Sequence, residues 1–169
     1  AILVVHIYGH PVDMDPILEA VAGKDIRVVE DAAEALGAEY KDRKCGSIGD
    51  VSAYSFYANK IVTTGEGGMV LTDNPEMEER ARSYRNLCFN TQERSLHDDI
   101  GYNFRMSSLQ AAVGLGQMER LEQNVVRKRE MGKLYVSLLS QISGLQVQIE
   151  KPWAKTVYWM YSVQLDPSL

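Results

Sequence analysis

Cysteine and histidine are scarce in this chain, and their placement excludes more than their number does. Cys45 and Cys88 lie far apart and form no CxxC pair, so no disulfide framework is expected and both read as reduced thiols of a cytosolic protein. His6, His10 and His97 make no HExxH or other ligand spacing, which gives no reason to expect a metal. No apolar run approaches the roughly 18 residues that span a bilayer, and no basic stretch precedes the apolar start "AILVVHIYGH", so neither a membrane nor export is expected. Blocks of about five or more like charges are missing as well. A formal net charge of -5 over 169 residues leaves no electrostatic footprint for nucleic acid. Two phosphate motifs are absent, GxxxxGK[ST] and a GxGxxG after a strand. Internal repeats and low-complexity segments are absent too.

What is there is a chain 45% hydrophobic and 24% charged, long enough to bury a core as one domain or as one domain and part of another. "ILVVHI" is a continuous apolar run of the kind found in strands covered on both faces, and "IRVV" at 26–29 is a second. Between them Asp15 and Pro16 have the chemistry of a helix N-cap and first turn. Ile17, Leu18 and Val21 supply an apolar stripe, and Gly23 ends it. This predicts a β-α-β unit with a parallel sheet. "VSAYSFY" and "GMVLT" predict two more strands, and Asn74-Pro75 opens a helix reaching about Arg85.

From Ser107 the pattern changes. "SSLQ" is a capping box, and Leu109, Ala112, Val113, Gly116 and Leu121 follow at helical spacing. Met131, Leu134, Tyr135, Leu138 and Leu139 continue the stripe, so one long or broken helix is expected to run to Gln141 and close near Gly144. After that the period is two: Leu145, Val147 and Ile149, then Val157, Trp159, Tyr161, Val163 and Leu165, as in the strands of a second subdomain. The chain starts inside one strand and stops just after another, so it reads as a fragment cut through structure at both ends.

In open α/β sheets ligands collect at the carboxyl ends of the parallel strands, which directs attention to Glu30, Asp31 and Lys60. Each has a plainer reading: Asp31 as an N-cap for "AAEALG", Lys60 as a solvated loop lysine. The order of parts is what points to chemistry: strand, Asp31, strand, Ser55, Lys60, the glycine turn "TTGEGG", strand. Pyridoxal phosphate chemistry needs a lysine to form a Schiff base with the aldehyde and a carboxylate to keep the pyridine nitrogen protonated. It also needs a hydroxyl and backbone N–H groups to hold the phosphate. Compact glycine turns that require positive φ would let the backbone fold tightly beside such a group.

Three stretches carry a family resemblance: "VVEDAAEALGAEY", "GDVSAYSFYANKIVTTGEGGMVLT" and "GYNFRMSSLQAAVGLGQMERLE". The chain resembles the nucleotide-sugar aminotransferases, pyridoxal phosphate enzymes of fold type I. The resemblance implies an α/β fold with a mainly parallel sheet and flanking helices, divided into 1–106, part of a large cofactor-binding domain, 107–143, a connecting helix region, and 144–169, the start of a small α+β domain. It implies Lys60 as the lysine that bonds the cofactor, Asp31 as partner of the pyridine nitrogen and Ser55 as a phosphate ligand. Asn103 matches an asparagine that crosses a dimer interface to the neighbouring subunit's phosphate, so a homodimer is implied. Glu34 stands near the cofactor ring where many members have glutamine.

A branch of 3-dehydratases has histidine at the lysine position, so Lys60 favours transamination. "FYANK" is similar to members that use glutamate to aminate C4 of a GDP-linked 4-keto sugar. A UDP-linked keto sugar, a non-catalytic regulator of the same fold, and an ordinary α/β domain with a surface lysine remain as alternatives. Trp153, Trp159 and Tyr161 read as packing for the second subdomain, Arg105 as structural, and His6 and His10 as near enough to the first strand end to reach a ligand.

Overall fold

The computed structural model describes residues 1–93 and 95–168. Leu169, the end of the expected 144–169 unit, lies outside the described residues. The first strand, β1 (Ile2–Val5), is followed by a short 3-10 turn at Ile7–Gly9 and by helix α1 (Met14–Val21). Strand β2 (Val28–Asp31) then lies parallel to β1, with Val5 opposite Asp31. A small hairpin, β3 (Glu39–Tyr40) and β4 (Arg43–Lys44), leads to β5 (Val51–Ser55), which is parallel to β2 with Asp31 opposite Ala53. Strand β6 (Gly68–Leu71) returns antiparallel, Gly68 facing Ser55, and completes a sheet of order β1-β2-β5-β6. The expected α/β fold with a mostly parallel sheet is what the chain forms, and the carboxyl ends of β1, β2 and β5 lie along one edge.

Two element boundaries differ from the sequence reading. Helix α1 begins two residues early: Asp13 is its N-cap residue and Asp15 sits in the first turn. There the Asp15 amide donates to the Tyr40 hydroxyl and its carboxylate meets Lys41. Strand β2 is shifted later than 26–29, because the Val28 amide is taken by the Asp50 carboxylate at 2.8 Å and pairing with β1 starts there. Val4, Met14, Val21, Val28, Tyr40 and Ile48 pack as one apolar cluster against α1. Burying each large apolar side chain contributes about 1.5–3 kcal/mol.

The helical half follows its caps. In α2 (Pro75–Arg85) the Asn74 carboxamide oxygen accepts from the Glu76 and Met77 amides, as an N-cap should. Ser107 and Gln110 form the full capping box at the start of α3 (Ser108–Met118). The helical stripe is broken at Glu119–Arg120, and α4 (Leu121–Leu139) begins anew. Val125 and Leu121 of α4 pack with Ala32, Ala35, Ala38, Cys45 and Val157 in a second cluster. Burial pushes the Cys45 thiol up to about 12.

The expected strand through 157–165 is mostly absent. After β7 (Leu145–Val147), β8 (Ala154–Lys155) and β9 (Val163–Leu165) are the only strands among the described residues. Between them Tyr158 has φ 49°, which no strand residue adopts. The Val157 amide and the Thr156 hydroxyl both donate to the Gly9 carbonyl, so tertiary bonds replace a ladder partner. Strand β8 pairs with β3 and extends the β3–β4 hairpin into a small three-stranded sheet of order β4-β3-β8.

Candidate active site

β5 ends at Ser55, and the loop beyond it is closed at its base: the Phe56 amide donates to Gly67 O and the Thr64 amide to Phe56 O, both 2.9 Å. Helix α3 clamps it, since the Gln117 carboxamide exchanges two bonds with the Thr63 backbone and Gln110 donates to Glu66 O. Gly65 and Gly67 take φ 80° and 147°, the positive angles the glycine turn called for. Lys60 is held at the tip by its own amide bond to Tyr57 O at 3.0 Å.

The Lys60 side chain is half-buried, and its Nζ lies 3.7 Å from the centre of the Trp159 ring. Burial draws its pKa down from the ordinary lysine value, while the charges of Glu34 and then Asp31 pull it up; the net direction is down. The net direction is towards the neutral amine that nucleophilic chemistry requires.

Asp31 stands at the end of β2, and its Oδ1 accepts the Ala33 amide at 3.1 Å. Residues 32–37 form turns rather than a helix, so this is a local side-chain turn and not an N-cap. Oδ2 has no hydrogen-bond partner among the described residues. Ser55 accepts from the Tyr57 amide at 3.2 Å, and its hydroxyl proton is likewise uncommitted. Glu34 accepts the amide of Tyr8 at 2.6 Å; Tyr8 has φ 55°, so the carboxylate fixes a strained residue at the end of β1.

Asn103 is placed elsewhere. It is exposed, bridges Asn86 through its backbone after α2, and makes no hydrogen bond to the Lys60 group. Arg105 donates to the Asn86 side chain, a structural contact.

Glu30 and His6 do not belong to the site. Alternation along β2 sends Glu30 and Asp31 to opposite faces, and Glu30 is fully buried. Its carboxylate bonds His6 Nε2 at 2.9 Å and accepts the amides of Gly46, Ile48 and Gly49 at 2.6–2.7 Å. Burial alone would raise its pKa, but these bonds outweigh it and hold the carboxyl below the ordinary value. His6 Nδ1 accepts the Val12 amide, so the ring donates from Nε2. His10 packs edge-on to Trp153, which also meets Tyr40; Tyr161 stacks on Tyr135. Tyr161 thus packs as expected, whereas Trp153 packs against the cluster beside α1 and not within the second subdomain.

Trp159 is the residue the sequence reading missed. Its Nε1–H donates to Asn59 O at 3.1 Å, next to the lysine its ring covers. The only sequence signal was negative: a tryptophan in a run whose period of two holds for one true strand.

A half-buried lysine that tends to the neutral form, a strand-end carboxylate with one uncommitted oxygen, and an adjacent strand-end hydroxyl with an uncommitted proton match the three needs of pyridoxal phosphate: aldehyde, ring nitrogen and phosphate. The fold is that of the pyridoxal-phosphate sugar aminotransferases. The chain belongs to the DegT/DnrJ/EryC1/StrS aminotransferase family, whose pattern matches residues 1–168, and the cofactor of that family is pyridoxal phosphate. It is 40% identical over 163 residues to the GDP-perosamine synthase of Escherichia coli O157:H7, covering 96% of this chain and 44% of that protein. It is 39% identical over 173 residues to the GDP-perosamine synthase of Caulobacter vibrioides, covering 100% and 46%. The crystal structure of the aminotransferase TlmJ from Streptoalloteichus hindustanus superposes with a TM-score of 0.91 at 33% identity, over 99% of this chain and 46% of that one. The chain thus spans under half the length of these relatives.

Proposed function

We propose that this chain carries the lysine-bearing part of an enzyme that moves an amino group from glutamate to the C4 keto group of GDP-4-keto-6-deoxymannose, giving GDP-perosamine. The observation that carries the reading is Lys60: half-buried, with Glu34 and Asp31 close enough for their charges to act on it. The substrate is supported by the names of the two synthases at 39–40% identity.

Bound pyridoxal phosphate supplies an aldehyde to receive the amino group and a ring that takes up the electron pair left at the donor's α-carbon. Asp31 Oδ2, which has no hydrogen-bond partner among the described residues, would accept the ring N–H and favour the protonated ring nitrogen. The Ser55 hydroxyl, whose proton is uncommitted, would donate to the phosphate. Lys60 Nζ takes the proton from the α-carbon of glutamate and returns a proton to C4 of the sugar, acting first as base and then as acid. A histidine there could move protons but could not bond the aldehyde in the same way. Glu34 holds the Tyr8 turn, which would lie near the cofactor ring. Asn103 completes the phosphate site of a neighbouring copy in a homodimer, for which its exposure is suited.

The test is spectroscopic. The protein carrying this chain, loaded with pyridoxal phosphate, is expected to show a visible absorption band that borohydride discharges and that Lys60→Ala lacks. An identical band in Lys60→Ala would overturn the assignment. Turnover of GDP- against UDP-linked 4-keto sugars, with glutamate as donor, then decides the nucleotide.

A further inference from the structure

Trp159 belongs to neither apolar cluster, yet it is fixed from several sides. Its carbonyl accepts from Lys128 Nζ of α4 at 3.2 Å and its indole N–H donates to Asn59 O. Immediately before it, Tyr158 is 3% exposed and packs so closely on α4 that a Cβ at Gly132 would meet its ring at 2.5 Å. Before that, Val157 and Thr156 are bonded to Gly9 O. A half-exposed ring held this firmly, whose face meets the Lys60 amine and which adds nothing to the core, has a task at that amine.

The task follows from the proposed transamination, on which this inference rests. In the first half of the cycle the donor's amino nitrogen would take the lysine's place, leaving Lys60 a free amine that takes up a proton. In the second half Lys60 would stay free until it displaces the aminated sugar. A carboxylate in direct contact would hold the ammonium too strongly to release it. An aromatic face holds it weakly. We propose that the indole face of Trp159 is the resting place of the Lys60 amine whenever that amine is not bonded to a carbonyl carbon, which makes Trp159 a positioning residue for the lysine. The charged groups acting on Lys60 are Glu34 and Asp31, whereas the Lys128 ammonium is directed to the Trp159 carbonyl and not to the ring face.

The test uses cofactor-free protein carrying this chain, labelled with trace acetic anhydride from about pH 6 to about pH 10, the range that brackets a depressed lysine pKa. Acetylation at Lys60 is read by mass spectrometry relative to exposed Lys24. Trp159→Leu is expected to raise the Lys60 rate roughly two- to tenfold and to move its pH profile to lower pH, the loss expected for a part-exposed cation on an indole. Trp159→Phe, which keeps an aromatic face, is expected to restore most of the protection, so a fold defect in the leucine variant does not obscure the result. Equal rates and profiles in wild type and Trp159→Leu would overturn the inference, as would a Trp159→Phe rate as high as that of Trp159→Leu. The borohydride-sensitive band is a separate readout. A normal band with flat labelling sinks the resting place alone, and a missing band with raised labelling sinks the transaminase reading while the lysine–indole contact stands.

Discussion

Replacing Glu30 by glutamine removes a charge without changing volume, and the structure fixes what that costs. One carboxylate oxygen serves His6 Nε2–H and the Gly46 amide; the other serves the Ile48 and Gly49 amides. Whichever way a glutamine amide is turned, its NH2 faces two donors. Turned towards His6, it could be accommodated only if the ring switched tautomer and lost the Val12 bond. Two buried donors are orphaned in either case, at about 1–3 kcal/mol each. The two bonds that remain weaken because the acceptor is no longer charged. Relief from burying a carboxylate offsets part of this, so the expected loss is about 2–4 kcal/mol, against a typical total of about 5–15 kcal/mol. Urea denaturation measures the loss, and amide hydrogen exchange at Gly46, Ile48 and Gly49 localises it. The pH dependence has a definite sign. The folded carboxyl lies below its ordinary value of 4.5, so its contribution is present above that value and is lost as pH falls through the lowered folded value. The wild type should therefore lose stability in acid below about pH 4.5, and the glutamine variant should lack that part of the decline. A Glu30→Gln change below about 0.5 kcal/mol at neutral pH, the range of ordinary surface substitutions, would refute the reasoning.

Gly132→Ala sets two effects against each other. Helix propensity gains about 1 kcal/mol, while the new methyl would lie 2.5–2.8 Å from three carbons of the buried Tyr158 ring. Overpacking of that kind costs about 1–3 kcal/mol, so a net loss of about 1 kcal/mol in thermal unfolding is expected, with faster acetylation of Lys60; a stabilised variant would contradict the contact. Asp31→Asn is expected to abolish turnover while retaining part of the cofactor absorbance, and unchanged turnover would remove Asp31 from the ring-nitrogen role.

Much of the fold was legible where local chemistry and tertiary structure agree. Asn74-Pro75 and the Ser107–Gln110 box start helices as their side chains dictate, because capping bonds are made within a few residues. Asp31, Ser55 and Lys60 were legible as polar residues at or just past apolar runs, and the parallel register brings the ends of β2 and β5 together. Glu30 could not be separated from Asp31, since a strand covered on both faces shows no alternation to say which neighbour turns inward. Trp159 was illegible for a related reason. Its run has the period of a strand, but bonds to Gly9 bend it at Tyr158, and nothing local in either segment announces a partner so distant in sequence.

That distance has a further consequence. The bond between Asn59 and Trp159 joins residues 100 apart. At about 5–20 residues per second, a ribosome delivers the lysine loop roughly 5–20 s before the tryptophan. For that interval the nascent chain holds a sheet edge with all three of its parallel strands and an amine with no aromatic cover. The residue that shelters the lysine is thus translated well after the lysine itself.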